Sequence, residues 1–213
     1  MRTADGQHES GETVLESAGD DDALVAAIRR LMADRRTPLL VAVDGRSGAG
    51  KSTLAARVAA RVGGTVVEGD DFYAGGTDAE WAARTAEAKV AACIDWRRLR
   101  AEALAPLLAG RSAVWHPFDF AAGAGLAAHT VRRSPSPVIV LDGVYSARPE
   151  LRELVDLAVL VEAADDCVRR RRLVGREGEA VMAAWHALWD EAEDHYFRQV
   201  RPRASFDLVV VTR

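Results

Sequence analysis

The sequence predicts a three-layer α/β sandwich in which helices cover both faces of a five-stranded parallel sheet. Short apolar runs alternate with stretches of helical periodicity, which is the pattern of parallel strands joined by crossover helices. The five predicted strands lie at 39–43, 65–68, 137–143, 157–161 and 208–211. The last two are apolar on both faces, as central strands of such a sheet must be.

Composition favours one domain that works inside the cell. The chain has 213 residues, of which 49% are hydrophobic, enough for one well-packed core. We expect residues 1–20, which are polar and acidic, to be a flexible tail, and residues 21–213 to be a single domain. Cys93 and Cys167 are too few and too far apart for a disulfide framework or a metal site. The tail is unlike a signal peptide, so a cytoplasmic location is expected.

Net charge and hydropathy exclude two classes of partner. The formal net charge is -4, so bulk electrostatics favours neither nucleic acid nor a membrane surface. No apolar stretch approaches the roughly 18 residues that a bilayer span needs. A small-molecule substrate is therefore expected, and the oligomeric state, a homo-oligomer included, stays open.

A glycine-rich segment between the first predicted strand and a helical pattern carries the strongest signal. Its spacing, G-x-x-x-x-G-K-[ST], predicts a loop whose backbone N–H groups surround a polyphosphate at the positive end of a helix. This motif predicts a P-loop NTPase that binds ATP and Mg²⁺, with Lys51 on the β- and γ-phosphates and Ser52 on the cation. An accidental glycine-rich turn is the alternative, which the flanking strand and helix disfavour. The candidate ATP-binding residues are Gly45, Ser47, Gly48, Ala49, Gly50, Lys51, Ser52 and Thr53.

Three aspartates end predicted strands at the carboxyl edge, where open α/β sheets bind ligands. Asp142 could hold Mg²⁺ directly or through water, or it could simply begin an Asp-Gly turn. Asp70 and Asp71 could accept a hydroxyl proton during phosphoryl transfer, or cap a helix. The pattern leaves open which of these two is the base.

The densest positive stretch runs from Arg169 to Arg172 and is followed by Arg176. On a helix, Arg169, Arg172 and Arg176 share one face, which predicts an arginine-bearing lid. A solvated run of charge is the ordinary explanation, but a phosphate loop needs arginines nearby. We expect at least one of the three to contact phosphate.

A small hairpin flap is predicted where 112–118 pairs with 128–132. Trp115, Phe118 and Phe120 cluster within or beside it. These aromatic side chains could stack on a flat base or close the flap on the domain.

Two helix patterns lie outside these motifs. Thr77 and Glu80 form a capping box that predicts a helix from there to Ala92. Trp185 and Trp189 lie one turn apart on a late helix and are predicted to belong to the core rather than to a site.

In this order, the motifs resemble those of the uridine kinase and phosphoribulokinase family of P-loop kinases, from about Leu39 to the end of the chain. The matching motifs are the loop 45–53, Asp70-Asp71-Phe72-Tyr73 (the family's D-x-F-Y), Ile94-Asp95-Trp96, Phe118-Asp119-Phe120, the strand 138–143, the arginine stretch to Arg176-Glu177, and 206–210.

The resemblance implies roles on the acceptor side. Asp70 corresponds to the general base for the acceptor 5′-hydroxyl. Tyr73 and Asp95 correspond to residues that line the nucleoside site, and Phe118 and Phe120 to aromatic residues that hold the base.

The resemblance also implies roles around ATP, with two departures. Arg172 and Arg176 would be the lid arginines, although the family's RRxxRD pattern is not cleanly reproduced. The strand-end acid, commonly Glu in the family, is Asp142 here. Uridine kinases follow the aromatic-D-F element with a His that reads the pyrimidine, whereas this chain has Ala121-Ala122-Gly123.

The leading hypothesis is an ATP- and Mg²⁺-dependent kinase of a small-molecule hydroxyl, most plausibly a nucleoside 5′-hydroxyl. Alternatives are a kinase of nicotinamide riboside, pantothenate or a sugar, and a cytidylate-type nucleoside monophosphate kinase. The last needs arginines near the acceptor, and residues 70–95 offer only Arg84. A non-enzymatic ATP-binding switch is the alternative from another class; the N-K-x-D element of GTPases is absent from the sequence.

Overall fold

The computed structural model describes residues 13–16, 21–34 and 38–213 and contains the predicted parallel sheet. Its strands are β1 (Thr13–Glu16), β2 (Leu39–Asp44), β3 (Thr65–Glu68), β4 (Ala113–Trp115), β5 (Val131–Arg133), β6 (Val138–Asp142), β7 (Leu157–Ala163) and β8 (Leu208–Thr212). Six of them form one parallel sheet in the order β1-β8-β7-β2-β6-β3. The five strands expected from the sequence are all in this sheet, and β2, which leads into the glycine-rich loop, is central.

Strand β1 was not expected. Thr13–Glu16 pair in parallel with β8, with Thr13 opposite Leu208. The prediction of a flexible tail over residues 1–20 is therefore wrong for these four residues, and the rest of that segment lies outside the described residues. The physical reason is that β8 would otherwise end the sheet with unpaired backbone N–H and C=O groups, which template an added strand.

Helices cover both faces of the sheet, as the three-layer prediction requires. They are α1 (Asp21–Asp34), α2 (Lys51–Val62), α3 (Asp78–Ala82), α4 (Ala86–Ala92), α5 (Trp96–Arg98), α6 (Ala105–Leu108), α7 (Asp166–Glu177) and α8 (Glu179–His195). A π-helical segment, Leu99–Leu104, joins α5 to α6, and α8 continues into a second one, Tyr196–Val200. Every helix in the described ranges is too short or too polar to cross a membrane.

Each face of the sheet has its own core. On one face, α1 and α2 bury apolar side chains, Leu24 and Leu54 among them, against strand residues such as Val41. On the other, the segment from α4 to α6 and helix α8 pack against residues such as Ile139. Burial of these side chains contributes on the order of 1.5–3 kcal/mol each, so both layers are firmly attached to the sheet whose edge carries the site.

The predicted hairpin flap is present, and one predicted helix is divided. Strands β4 and β5 pair antiparallel, with Val114 opposite Arg132. The capping box at Thr77 forms as expected, but its helix ends at Ala82, and the prediction that it continues to Ala92 is wrong. The hydroxyl of Thr85 accepts a hydrogen bond from the Ala88 N–H at 3.2 Å and so begins a second helix.

Candidate active site

The carboxyl ends of three neighbouring strands meet at one edge of the sheet. In the parallel register, Asp142 of β6 lies between Val43 of β2 and Glu68 of β3. The glycine-rich loop leaves β2 at this edge, and Asp70 lies in the 3₁₀ turn that follows β3. The topology therefore brings the loop and the strand-end acids together, as expected for an open α/β sheet.

The loop has a backbone conformation that only glycine accommodates at three positions. Gly45, Gly48 and Gly50 have φ values of 147°, 79° and 98°. A Cβ atom at Gly45 would lie 2.2 Å from the carbonyl oxygen of Val161, and one at Gly48 would lie 2.6 Å from the side chain of Leu173. The glycines are therefore required by close approach as well as by backbone torsion.

The loop ends in the first turn of α2, where backbone N–H groups face outward. The N–H groups of Lys51, Ser52 and Thr53 have no intrahelical acceptor, because they belong to the first turn. The Lys51 ammonium donates to the carbonyl oxygen of Arg46 at 3.1 Å, and the Ala49 N–H donates to the same oxygen at 3.1 Å. The N-terminal N–H groups of α2 and the Lys51 ammonium thus lie together at the loop, an arrangement suited to a polyphosphate.

Asp44, the last residue of β2, is a buried carboxylate that the sequence analysis missed. It accepts hydrogen bonds from the N–H groups of Gly45 (2.8 Å), Tyr145 (2.9 Å) and Ala147 (2.9 Å) and from the Tyr196 hydroxyl (2.7 Å). Burial raises the pKa of this carboxyl, while the hydrogen bonds oppose the shift. The only signal in the sequence is an aspartate that ends an otherwise apolar strand.

Asp142 is a buried acid with an unused oxygen. Its side chain lies close enough to the Ser52 hydroxyl for Ser52 to lower its pKa, and its Oδ1 has no hydrogen-bond partner among the described residues. Burial raises the pKa of Asp142; Ser52 and Lys51 oppose the shift, and Asp70 adds to it. A carboxylate oxygen without a partner beside a serine hydroxyl fits Mg²⁺, which takes hard oxygen ligands.

The structure separates the two neighbouring acids that the sequence could not distinguish. The carboxylate of Asp71 accepts a hydrogen bond from the Trp115 indole N–H at 2.7 Å, and its carbonyl accepts from the Phe118 N–H at 2.8 Å. Asp71 therefore fastens the flap to the domain. Asp70 is exposed at the edge, close enough to Asp142 to affect its pKa.

An aromatic wall, defined as Tyr73, Trp81, Phe118, Phe120 and Trp189, lies beside these acids. Tyr73 is at its centre. The Phe118 ring meets the Tyr73 ring edge-on, with 4.9 Å between ring centroids, and the Phe120 ring stacks on it with centroids 5.7 Å apart. Trp189 lies 6.4 Å from the same ring and 5.0 Å from Trp81. Phe120 is 62% exposed, so the wall has an open face. Burial raises the pKa of Tyr73 to about 12, so this residue stays protonated.

The structure brings together three of the four predicted acceptor-side residues in that wall and places the fourth nearby. Asp95 lies beside the residue that precedes Tyr73, because its N–H donates to the Phe72 carbonyl at 2.8 Å. Its carboxylate accepts the Arg98 N–H at 3.0 Å and so caps α5. Trp189, expected in the core, is buried but also belongs to the wall, whereas the same prediction is wrong for Trp185, which is 41% exposed.

Two arginines of α7 donate hydrogen bonds to backbone carbonyl oxygens of the glycine-rich loop. Arg172 donates to the carbonyl oxygen of Ala49 at 3.1 Å, and Arg169 donates to that of Ser47 at 3.4 Å. These contacts fasten α7 to the loop. Arg176 lies in α7, but its side chain falls outside the described residues.

Comparison with known proteins finds relatives that are similar in sequence and others that are similar in fold. The chain is 35% identical over 157 residues to the uridine kinase of Deinococcus deserti, a match that covers 68% of this chain and 74% of that protein. A possible uridine kinase from Bacillus stearothermophilus superposes with a TM-score of 0.68 at 20% identity, covering 89% of this chain and 96% of the other. A candidate fructose transport system kinase from Silicibacter sp. TM1040 gives a TM-score of 0.64 at 23% identity, covering 89% and 98%. No family model matches the chain.

The first prediction concerns the close approach at Gly45. We expect Gly45→Ala to lower the free energy of unfolding by about 3 kcal/mol or more, because the new methyl meets the Val161 carbonyl and the backbone torsion is strained. Gly110→Ala is the matched control, since Gly110 also has a positive φ but has open space around it, and about 1–2 kcal/mol is expected there. Urea denaturation followed by tryptophan fluorescence measures both, and equal losses would contradict the contact.

The second prediction concerns Asp44. Asp44→Asn replaces one acceptor oxygen by an amide that faces N–H and O–H donors, so we expect a loss of about 2–4 kcal/mol in the free energy of unfolding. Asp34→Asn, at the exposed end of α1, makes the same chemical change and should alter it by less than about 0.5 kcal/mol. Denaturant titration measures both variants. An unchanged free energy of unfolding in Asp44→Asn would show that the carboxylate does not hold β2, the segment after β6 and Tyr196 together.

Proposed function

Because the chain belongs to the uridine kinase-like family of P-loop kinases, a family of phosphotransferases that act on a hydroxyl group, we propose that it transfers the γ-phosphate of ATP to the 5′-hydroxyl of a nucleoside. The observation that carries the proposal is the meeting of three features at one sheet edge. The phosphate-binding loop, the acids Asp70 and Asp142, and the open aromatic wall adjoin there. Together they suit a donor triphosphate, a hydroxyl and a flat ring.

In this proposal, the loop binds the triphosphate. The N–H groups of Gly48, Gly50 and the first turn of α2 donate to phosphate oxygens, since those of Gly45, Ser47 and Ala49 already donate within the protein. The candidate loop residues are those predicted from the sequence. Lys51 leaves the Arg46 carbonyl for the β- and γ-phosphates. These fixed donors stabilise charge that develops on the transferred group.

Ser52 and Asp142 would hold Mg²⁺, which the buried, unpartnered Asp142 oxygen supports. When bound, the cation would neutralise phosphate charge and orient the β- and γ-phosphoryl groups. The Ser52 hydroxyl is close enough to Asp142 to lower the pKa of its carboxyl, so the two proposed ligands are neighbours.

On the acceptor side, we assign Asp70 as the general base. It is exposed at the edge and lies close to Asp142. Asp71 instead accepts the Trp115 indole N–H and fastens the flap. A carboxylate there accepts the hydroxyl proton and aims the oxygen at the γ-phosphorus. Tyr73, Phe118 and Phe120 would hold the base of the nucleoside.

Two further assignments complete the proposed site. Asp95 would bind the acceptor through its carboxylate, whose Oδ1 also caps α5. Arg172, together with Arg176, would neutralise phosphate charge when the lid closes on ATP. The contact of Arg172 with the Ala49 carbonyl places its guanidinium at the loop already.

The third prediction separates the two acids. Asp70→Asn should lower kcat by about 10²- to 10⁴-fold, because the base is lost, while leaving the Kd for ATP within about threefold. Asp71→Asn is the matched control: it perturbs the bond to Trp115 and should cost about 1 kcal/mol of stability with only a small change in kcat. Steady-state kinetics with a responsive nucleoside decide between them, and a reversed ranking would refute the assignment.

The fourth prediction tests the acceptor class. In a coupled assay of ADP release, uridine or cytidine should give kcat/KM at least about tenfold above fructose, pantothenate, nicotinamide riboside or CMP. One missing hydroxyl or base contact accounts for a factor of that size. Lys51→Ala serves as the inactive control. A higher value with a sugar, or ADP release that needs no acceptor, would overturn the nucleoside proposal.

A further inference from the structure

Helix α8 is fastened to the glycine-rich loop by two neighbouring carboxylates that the proposed chemistry does not use. Glu193 is only 2% exposed. Its Oε1 accepts hydrogen bonds from the Ser47 N–H at 3.2 Å and from the Ser47 hydroxyl at 2.6 Å. The next residue, Asp194, forms an ion pair with Arg46, which precedes Ser47. Two consecutive residues of the helix therefore bind two consecutive residues of the loop.

The buried charge of Glu193 is balanced from the lid. Arg169, itself 8% exposed, lies 4.0 Å from the second carboxylate oxygen of Glu193 and donates to the Ser47 carbonyl at 3.4 Å. A buried carboxylate is retained only where hydrogen bonds and a countercharge compensate its lost hydration. An apolar residue would fill the same space without that requirement, so the carboxylate indicates a function at the loop.

The residues that this contact holds are those that orient the lysine. The carbonyl of Arg46 accepts from the Lys51 ammonium and from the Ala49 N–H, both at 3.1 Å. A shift of Arg46 and Ser47 would therefore displace Lys51 and the turn that forms the cradle. Glu193 acts on nucleotide binding through these loop atoms.

The same helix also reaches the acceptor side. Trp189 lies one turn before Glu193, on the same face of α8, and contacts Trp81 and Tyr73 of the aromatic wall. One rigid helix therefore contacts both the acceptor wall and the phosphate loop.

We propose that Glu193 is a positioning residue for the nucleotide: through Ser47 it holds the loop in its phosphate-binding conformation and ties that conformation to the helix that carries Trp189. This rests on the proposed function only in taking the loop as the nucleotide site. It needs no particular acceptor.

The test is the affinity for Mg²⁺ and a non-hydrolysable ATP analogue, AMP-PNP, measured by calorimetry on the full chain. Glu193→Ala should weaken binding by at least about tenfold, because the loss of a hydrogen bond to a charged group has that magnitude. Glu193→Gln keeps an oxygen that accepts from Ser47 and should restore affinity to within about threefold. Glu191→Ala, an exposed change on the same helix, should match the wild type. Hydrogen exchange at 45–50 should speed up in Glu193→Ala alone.

The outcomes separate this inference from the kinase assignment. A wild-type protein that does not bind the analogue would refute the proposed function itself. Binding by the wild type together with an unchanged Kd in Glu193→Ala would overturn the role of Glu193 and leave the kinase assignment standing. If Glu193→Ala does not fold, Glu193→Met keeps the packing and removes the oxygens. It should show the same tenfold loss, and wild-type affinity there would equally overturn the inference.

Discussion

The buried carboxylate of Asp44 is the interaction on which the site depends. It ends β2 at the start of the glycine-rich loop, and its hydrogen bonds reach Tyr145 and Ala147 after β6 and the Tyr196 hydroxyl at the end of α8. A carboxylate inside a protein is tolerated only when such donors surround it. The loop, the segment after Asp142 and the helix must therefore assemble together. The buried hydrogen bonds of Asp44 therefore set the geometry of the sheet edge that carries the site.

Negative charge accumulates at the same edge of the sheet. Burial raises the pKa of Glu68 and of Asp142, and neighbouring acids, Asp70 among them, raise both further. Such an edge repels a bare triphosphate, since like charges at close range repel one another. The helix N-terminus and Lys51 offset part of the repulsion. A cation between the acids and the phosphates would offset the rest, which is why the donor set suits a Mg²⁺-nucleotide.

The sequence predicts a feature when the residues that determine it are close together in the chain, and misses it when they are far apart. The P-loop at 45–53 was predictable because its glycines and flanking elements are adjacent in the chain. Tyr73, Phe118 and Phe120 were predictable because they occur in short motifs, whereas Trp81 and Trp189 join their wall only through the fold. Glu193 was not predictable, since its partner Ser47 lies 146 residues away. Strand β1 was missed because a neighbouring edge, rather than its own composition, induces it. Thr85 divides a helix through a competing cap that periodicity does not register.

A crystal structure of the chain with Mg²⁺ and AMP-PNP tests the central claim, that one sheet edge holds donor phosphates, cation and base together. We expect phosphate oxygens on the N–H groups of 48 and 50–53, the cation bound by the Ser52 hydroxyl and Asp142, directly or through water, and the Asp70 carboxylate facing the γ-phosphorus. A nucleotide bound elsewhere, or an Asp70 carboxylate turned away from that phosphorus, would contradict it.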